Sequence, residues 1–423
     1  MNYYNIYRER AFPRSLFFIT LFLTLTGFSE ARESEILTGA DRLLSEKKNL
    51  LQGKNIGLVT NHTAVFKNGT HLADSLSNLA PFTRLTTLYG PEHGIRGDAS
   101  AGEKIDNSTD AKTGVPVFSL YGAHRKPTKE MLKNVNLLIF DIQDVGARFY
   151  TYISTLYYTI EAGAENNIPV IVLDRPNPIA FMGSFGPVRD TGLTSFVGIA
   201  PIPVAHGMSI GELAKYYAGE LLKDKNPDLT VIEMKNYRYN APLSVTTKNF
   251  VKPSPNIMTP ETILLYPGTC LFEGTNLSEG RGTYSPFLLF GAPYLDNQTL
   301  LAELKKYGYE DISFEAVTFT PVEIENTVSK PKHKDLECKG IKIIPKQNLQ
   351  SDPILLTLRI LHHISKLHPD ELTFRERSFA ILSGKHDLQS RITKGEDPDH
   401  IYNSWKQELE NFNNLKKGYL LYD

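Results

Sequence analysis

Cysteine and long apolar runs are scarce in this chain of 423 residues. The two cysteines, Cys270 and Cys338, do not have the spacing of a metal finger. They either pair, as an oxidising compartment permits, or remain two unrelated buried thiols. Beyond residue 28 no apolar stretch approaches the roughly 20 residues that a membrane-spanning helix needs. The sequence therefore predicts no membrane span in the body of the protein.

An excess of one charge is also missing. Lys and Arg total 46 against 47 Asp and Glu, which argues against nucleic acid as the main partner but leaves room for a locally basic pocket. No glycine-rich phosphate-binding motif follows a predicted strand, so a nucleotide cofactor is not expected. The residues most suited to hold a metal lack tight ligand spacing, and we predict neither metal nor cofactor. These residues are His62, His93, His206, Asp141 and Asp144.

The N-terminus has the composition of a secretory signal peptide. Arg8, Arg10 and Arg14 precede an apolar run over 16–28, and small residues flank the following Glu30. A retained anchor is the alternative, but the run is shorter than a span requires. We predict a signal peptide over 1–31, cleaved after about Ala31, and an exported protein that is periplasmic or secreted and keeps no membrane span.

From residue 55 onwards, short apolar runs alternate with segments of helical periodicity. The predicted strands are 56–60, 85–89, 115–120, 137–141 and 170–174, and the helices between them are 69–79, 127–135 and 150–167. This alternation is typical of an α/β fold with a mostly parallel sheet. A proline-containing stretch over 237–260 predicts the boundary between a first domain, 35–245, and a smaller mixed α+β C-terminal domain, 246–423.

Polar residues follow four of the predicted strands. Because the carboxyl ends of parallel strands lie at one edge of a sheet, where such folds bind ligands, we expect these side chains to converge. The segments are Asn61-His62-Thr63, residues 90–97 around Glu92, residues 141–148 around Asp144, and residues 174–178 around Asn177. The sequence therefore predicts an active site at this edge.

Glu92 is the first candidate for acid catalysis. It follows Pro91 and precedes His93 in a glycine-rich loop, which would hold the carboxyl group rigidly. The competing interpretation is an ion pair with Arg96 that only braces the loop. Arg96, Arg148 and Arg281 are candidates for binding an anionic substrate group, since a guanidinium matches a carboxylate bidentately.

A second concentration of functional groups lies at residues 268–283. Glu273, Asn276, Glu279 and Arg281 stand there among four glycines, a composition that favours a site loop over a solvated one. If this loop folds over the strand ends, Glu92 gains a second carboxylate, and paired carboxylates are what glycoside hydrolysis uses.

Ser209 has two possible interpretations, a catalytic nucleophile and a helix cap. The segment 207–211 fits a nucleophile elbow, but Ser209 and Glu212 also fit a helix capping box. No oxyanion-hole motif accompanies the serine, so the cap interpretation is favoured.

Several long segments resemble the NamZ-type exo-β-N-acetylmuramidases, a family long described only as a domain of unknown function. They include LYGPEHGIRGDASAGE, TGVPVFSLYG, LIFDIQDVGARFYTYIST, VIVLDRPNP, PIPVAHGMSIGELA and PSPNIMTPETILLYPGTCLFEGTNLSEGRGT. The resemblance implies a Rossmann-like catalytic domain, a smaller auxiliary domain, and an active site between them that needs no metal or nucleotide. The resemblance implies that Glu92 corresponds to the family's conserved glutamate. Residues carried over from the other motifs are Asp141, Gln143, Asp144, Arg148, Tyr150, Glu273, Asn276, Glu279 and Arg281.

The leading expectation is therefore an exo-acting glycoside hydrolase that releases N-acetylmuramic acid from the non-reducing end of peptidoglycan fragments. Glu92 would be the acid, and Glu273 or Glu279 the second carboxylate. The alternatives are a metal- or serine-dependent wall hydrolase and a non-catalytic muropeptide-binding protein. The predicted substrate-binding residues are Asn61, His93, Arg96, Asp144, Arg148, Tyr150, Asn177, His206, Asn276 and Arg281.

Overall fold

The computed structural model describes residues 35–97, 108–248 and 250–423, so the predicted signal peptide lies outside the described residues. The strands are β1 (Asn55–Thr60), β2 (Arg84–Gly90), β3 (Ser108–Thr109), β4 (Pro116–Ser119), β5 (Leu137–Asp141), β6 (Val170–Leu173), β7 (Phe185–Val188), β8 (Pro203–Ala205), β9 (Leu229–Ile232), β10 (Leu289–Ala292), β11 (Ile312–Phe319) and β12 (Cys338–Pro345). The helices are α1 (Gly39–Glu46), α2 (Leu72–Ser77), α3 (Tyr152–Asn166), α4 (Ile210–Tyr216), α5 (Leu243–Thr246), α6 (Pro260–Thr269), α7 (Asn297–Lys305), α8 (Pro353–Leu367), α9 (Glu376–Ser383), α10 (Leu388–Thr393), α11 (Pro398–Asn403) and α12 (Lys406–Lys416).

A seven-stranded sheet organises the N-terminal half. Its order is β3-β4-β2-β1-β5-β6-β9, and every pairing is parallel except that of β3 with β4. The central strand β5 is buried along its whole length, as expected of a parallel strand covered on both faces. The predicted α/β architecture is confirmed, and all five predicted strands are present to within about two residues.

Alternate residues of each strand enter different cores. Ile139 lies in a smaller core with Leu43 of α1 and Leu76 of α2. Phe140 faces the opposite core, which includes residues of α3 and α4 and continues into the C-terminal half. This two-sided burial fixes the strand register, because a shift by one residue would exchange the two faces.

The C-terminal half has a mixed α+β composition. A three-stranded antiparallel sheet in the order β10-β12-β11 accompanies helices α6 to α12. Residues 36–423 form one compact unit, and the domain boundary at 245/246 stays a prediction. Among the described residues, no helix is both long and apolar enough to cross a bilayer.

One predicted helix was wrong. Residues 127–135 form a single helical turn from Thr128 to Leu132 followed by shorter turns. After that turn the backbone bonds span three residues, from Lys133 to Glu130 and from Val135 to Leu132, so the α-helical pattern is not continued. At the start of the described chain, Thr38 caps α1 in a capping box with Asp41.

Candidate active site

A cavity of about 380 Å³ opens where the sheet's carboxyl edge meets the segment 266–287. Glu92 follows β2, Tyr121 follows β4, and Tyr150 follows β5, so three strand ends contribute to its wall. Glu273 and Arg281 line the same cavity. The structure thus brings together the two stretches that the sequence singled out separately.

The carboxyl group of Glu92 is held by a hydroxyl group of a neighbouring element. The Thr151 Oγ1 donates a 3.0 Å hydrogen bond to Oε2 of Glu92, and the Tyr121 phenol lies near the same carboxyl group. Burial, followed by the charge of Glu92, raises the pKa of Tyr121 to about 12. Tyr121 therefore stays a proton donor at neutral pH.

The turn that carries Glu92 has an unusual backbone. His93 is buried, lines the cavity and adopts a left-handed φ of 71°, a conformation uncommon for residues other than glycine. Gly97, in the same turn, has a φ of 80°, and an added Cβ would lie 2.7 Å from the His62 ring. Only glycine fits there, and its close packing fixes the turn beside the cavity.

Glu273 and Arg281 form an ion pair at the cavity wall. Nη2 of Arg281 donates to Oε1 of Glu273 at 2.7 Å, and the guanidinium lies 5.2 Å from the centroid of the Phe287 ring. Burial opposes the charge of Arg281, but the carboxylates of Glu273 and Glu279 hold its pKa above the ordinary value. The guanidinium therefore remains charged and orients Glu273.

Glu279 is buried and is not among the residues that line the cavity. Its side chain is 4% exposed and contacts Nζ of Lys332 at 3.0 Å and Nε of Arg281 at 3.3 Å. The Lys332 ammonium also donates to the carbonyls of Phe272 and Leu277. Glu279 thus closes a buried ion-pair network behind Arg281, and Glu273 is the second carboxylate that the cavity offers.

Tyrosines line the inner part of the cavity. Tyr150 packs edge-on against Tyr152 and Tyr266, with ring centroids 4.9 and 5.7 Å away. Burial raises the pKa of all three phenols above the ordinary range. The Tyr150 hydroxyl lies beside Ser254 but reaches no partner at hydrogen-bond geometry among the described residues. A buried donor in this state suits a polar ligand.

Comparison with known proteins identifies the relatives of this chain. The family described as exo-β-N-acetylmuramidase NamZ, N-terminal, matches residues 56–261, and its C-terminal counterpart matches 264–422. The chain belongs to the NamZ family. The Bacillus subtilis (strain 168) protein named peptidoglycan β-N-acetylmuramidase NamZ is 43% identical over 395 residues, which cover 93% of this chain and 92% of that one.

Two solved structures of DUF1343-family proteins from Bacteroides fragilis NCTC 9343 share the fold of this NamZ-family chain. One has a TM-score of 0.84 at 32% identity, and the other 0.74 at 34%. Each match covers 92% of this chain and 99% of the other.

Two arginines predicted to bind substrate lie outside the cavity lining of this NamZ-family protein. Arg148 is fully buried and donates to the carbonyls of Pro187, Ile202 and Leu382 at 2.8–3.0 Å. Burial lowers its pKa to about 9. In this structure Arg148 cross-links three chain segments, and its role in substrate binding stays a prediction.

Arg96 is engaged by carboxylates of its own region. Its Nε and Nη2 donate bidentately to Asp110 at 2.9 Å, and Nη2 also reaches Asp74 at 2.7 Å. The hydrogen bonds of Arg96 hold the pKa of Asp110 well below its usual range. Arg96 therefore braces the turn after β2 through these two aspartates.

Asn61, Asp144 and His206 are buried and do not line the cavity. Oδ1 of Asn61 accepts from Thr63, while Oδ2 of Asp144 accepts from the Gly146 backbone at 2.6 Å and lies 3.6 Å from Nε2 of His206. Asn61 Nδ2 and Asp144 Oδ1 find no hydrogen-bond partner among the described residues. Their roles in substrate binding stay predictions.

The side chains of Asn177 and Asn276 form hydrogen bonds with backbone groups in this structure. Asn177 donates to the Met208 carbonyl and accepts from the Ile179 amide. Asn276 donates to the Glu371 carbonyl and accepts from the Thr373 amide. Neither lines the cavity, and their roles in substrate binding stay predictions.

The Ser209 interpretation as a helix cap is confirmed. Ser209 accepts from the Glu212 amide, Glu212 bonds back to the Ser209 amide, and the hydroxyl donates to Asp174 at 2.8 Å. Asp141 is likewise engaged, in a buried bidentate pair with Arg175. Within the described residues no group of three or more His, Cys, Asp or Glu is arranged to hold a metal.

Sequence reasoning missed part of the cavity. Tyr121, Arg125, Thr151 and Phe196 line it without having been singled out. Tyr121 and Arg125 directly follow the predicted strand 115–120, so the strand-end argument, extended to that strand, would have included them. Both cysteines are free and buried, and Cys270 lines the cavity.

Proposed function

We propose that this protein is an exo-β-N-acetylmuramidase that releases N-acetylmuramic acid from the non-reducing end of peptidoglycan fragments. The observation that carries the proposal is the convergence of Glu92 and Glu273 on one cavity. Membership in the NamZ family supports the substrate class. Two carboxyl groups across a glycosidic bond are the usual apparatus for its hydrolysis.

Glu92 acts as the general acid that protonates the glycosidic oxygen. The Thr151 hydroxyl fixes one of its carboxyl oxygens, which sets the orientation of the group toward the bound sugar. Glu273 either stabilises the positive charge that develops on the sugar ring or activates water. Arg281 fixes Glu273 in place through their 2.7 Å ion pair.

The aromatic lining binds the sugar. The rings of Phe149, Tyr266 and Phe287 supply apolar surface to the cavity, while the phenols of Tyr121 and Tyr150 stay protonated and supply hydrogen bonds. A cavity with an apolar wall and a few directed polar groups is typical of a small-ligand site. These features match a sugar that carries both apolar C–H faces and hydroxyl groups.

A chromogenic β-N-acetylmuramide tests the activity. We expect wild-type protein to release the chromophore and Glu92→Gln to lose about 10²- to 10⁴-fold in kcat, the usual contribution of a general acid. Glu310→Gln, at an exposed glutamate, is the matched control and keeps full activity. Binding of the sugar without turnover by wild type would instead identify a muropeptide-binding protein.

Export of the protein is the second part of the proposal. The basic N-terminus, the apolar run over 16–28 and the small residues that follow support cleavage after about Ala31. Export brings the enzyme to the cell wall, where its substrate lies. Protein recovered from outside the cytoplasm should have a mass that corresponds to loss of about 31 residues, and recovery of the full-length mass would contradict cleavage.

A further inference from the structure

Two arginines border the cavity, and their surroundings differ. Arg281 is bonded to Glu273 and Glu279. Arg125 is exposed, and its guanidinium lies over the Phe196 ring, 4.8 Å from the centroid. Within the part of the chain that the structure describes, no carboxylate forms an ion pair with Arg125. The cavity therefore has one cation that neutralises its own wall and one that is available to a ligand.

Arg125 lies close to the proposed acid. The ring of Tyr121 packs against that of Phe196, with centroids 6.2 Å apart, and the Tyr121 phenol lies near the Glu92 carboxyl group. The charge of Glu92 raises and the charge of Arg125 lowers the pKa of this same phenol, whose largest shift comes from burial. One tyrosine thus separates the acid from the cation.

The cation–π contact with Phe196 restricts the guanidinium before a ligand arrives. A guanidinium held over an aromatic ring loses part of its rotational freedom, while its N–H edge remains able to donate. That edge matches the two oxygens of a carboxylate. A lysine ammonium would offer the charge without the matching plane.

The substrate of the proposed reaction carries such a carboxylate. N-acetylmuramic acid differs from N-acetylglucosamine by a lactyl ether that ends in a carboxyl group. Arg281 is already neutralised by the carboxylates of Glu273 and Glu279, so a cavity that binds this anion needs a cation outside that network. Among the described residues that line the cavity, Arg125 meets this requirement.

We propose that Arg125 binds the lactyl carboxylate of the terminal sugar and thereby selects muramic acid over glucosamine. This inference rests on the proposed function, because it assumes that the terminal sugar occupies the cavity. It assigns the specificity for the anionic group to the loop after β4, instead of to Arg96, Arg148 or Arg281.

Three chromogenic glycosides test the assignment: the β-N-acetylmuramide, its neutral lactyl methyl ester, and the β-N-acetylglucosaminide. For wild type we expect kcat/KM to be highest with the free carboxylate. Arg125→Gln should raise KM for that substrate by about 10- to 100-fold, which corresponds to loss of a charged hydrogen-bonded pair. With the ester, the variant and wild type should agree within about threefold. Arg125→Lys should restore part of the preference for the acid.

Arg84→Gln is the matched control. Arg84 is an exposed arginine at the start of β2, at the end of the strand opposite the cavity, and its removal should leave all three rates unchanged. Circular dichroism of each variant confirms that the fold is kept.

The outcomes separate this inference from the function on which it rests. Wild type inactive on the muramide refutes the proposed function itself. Active wild type whose preference for the acid over the ester survives in Arg125→Gln refutes the role of Arg125 alone. An equal loss on acid and ester also overturns it.

Discussion

The Thr151 hydroxyl donates to the carboxyl group of Glu92 at 3.0 Å, and so joins the turn after β2 to the residue that precedes α3. Thr151 occupies the N-cap position of α3, yet its side chain makes no capping hydrogen bond. The hydroxyl is therefore used to position the proposed acid, and the helix begins without this form of stabilisation.

Replacement of Thr151 tests this division of roles. Thr151→Val removes the hydrogen bond at nearly constant volume, and we expect kcat on the muramide to fall about tenfold or more because Glu92 loses its orientation. Thermal stability should change little, since no cap is lost. Thr151→Ser keeps the hydroxyl and should keep most of the activity. A fall in melting temperature with unchanged kcat would contradict the positioning role.

Arg148 should matter for stability and not for substrate affinity. Arg148→Met removes three hydrogen bonds and leaves the carbonyls of Pro187, Ile202 and Leu382 without this donor. Unsatisfied buried groups cost about 1–3 kcal/mol each, partly offset because a buried charge is removed as well. We expect a lower melting temperature by scanning calorimetry. A specific rise in KM for the muramide with unchanged melting temperature would instead restore Arg148 as a substrate clamp.

The contrast between Arg148 and Glu92 shows how far sequence reasoning reaches. The alternation of apolar and helical segments was enough to predict the strands and the edge at which they end, because burial on both faces of a parallel sheet leaves a clear pattern. Glu92 was found because its rigid loop directly follows a strand. The positions of polar residues directly after predicted strands were therefore enough to predict where the cavity lies.

The direction of long side chains was beyond the same reasoning. Arg148 also follows a strand, but its partners lie 39, 54 and 234 positions along the chain. The tertiary fold determines which carbonyl groups it contacts, and the local sequence pattern does not predict such long-range contacts. Asn276 is similar, since it bonds to residues 95 and 97 positions away.

Ser209→Ala separates a helix cap from a nucleophile. The variant loses the side-chain bond to the Glu212 amide and the bond to Asp174. Loss of an N-cap costs about 0.5–2 kcal/mol, so we expect a modest fall in melting temperature. Specific activity of the folded enzyme should stay within about twofold of wild type. Complete loss of turnover by folded protein would support a serine hydrolase.

Asp174 should make stability depend on pH. Burial raises its pKa to about 7, against hydrogen bonds from Tyr422, Gly211 and Ser209. Between the unfolded pKa near 3.8 and the folded value, the folded state keeps a proton that the unfolded state releases. This group therefore favours folding most below about pH 4, and its contribution is lost as the pH rises to about 7.

Comparison of wild type with Asp174→Asn isolates that contribution. Asparagine cannot titrate, so the melting temperature of wild type relative to the variant should decrease from pH 4 to pH 7 and level off above it. The other titrating groups cancel in the difference. Parallel curves over this range would rule out a raised pKa for Asp174.

The two glutamates on either side of Arg281 should respond oppositely to the same substitution. Glu273 lines the cavity, so Glu273→Gln should lower kcat by at least about 10²-fold, as expected for a group that acts on the reacting sugar. Its melting temperature should fall only slightly, because the lost ion pair is partly exposed.

Glu279→Gln should have the reverse profile. Glu279 is buried between Lys332 and Arg281, and removal of one partner from a buried network costs about 3–5 kcal/mol because the cations are left uncompensated. We expect a large fall in melting temperature and kcat within about tenfold of wild type at a temperature where the variant is folded. If Glu279→Gln abolished turnover while Glu273→Gln kept it, the second carboxylate would have to be reassigned to Glu279. Arg281 would then no longer separate a catalytic carboxylate from a structural one.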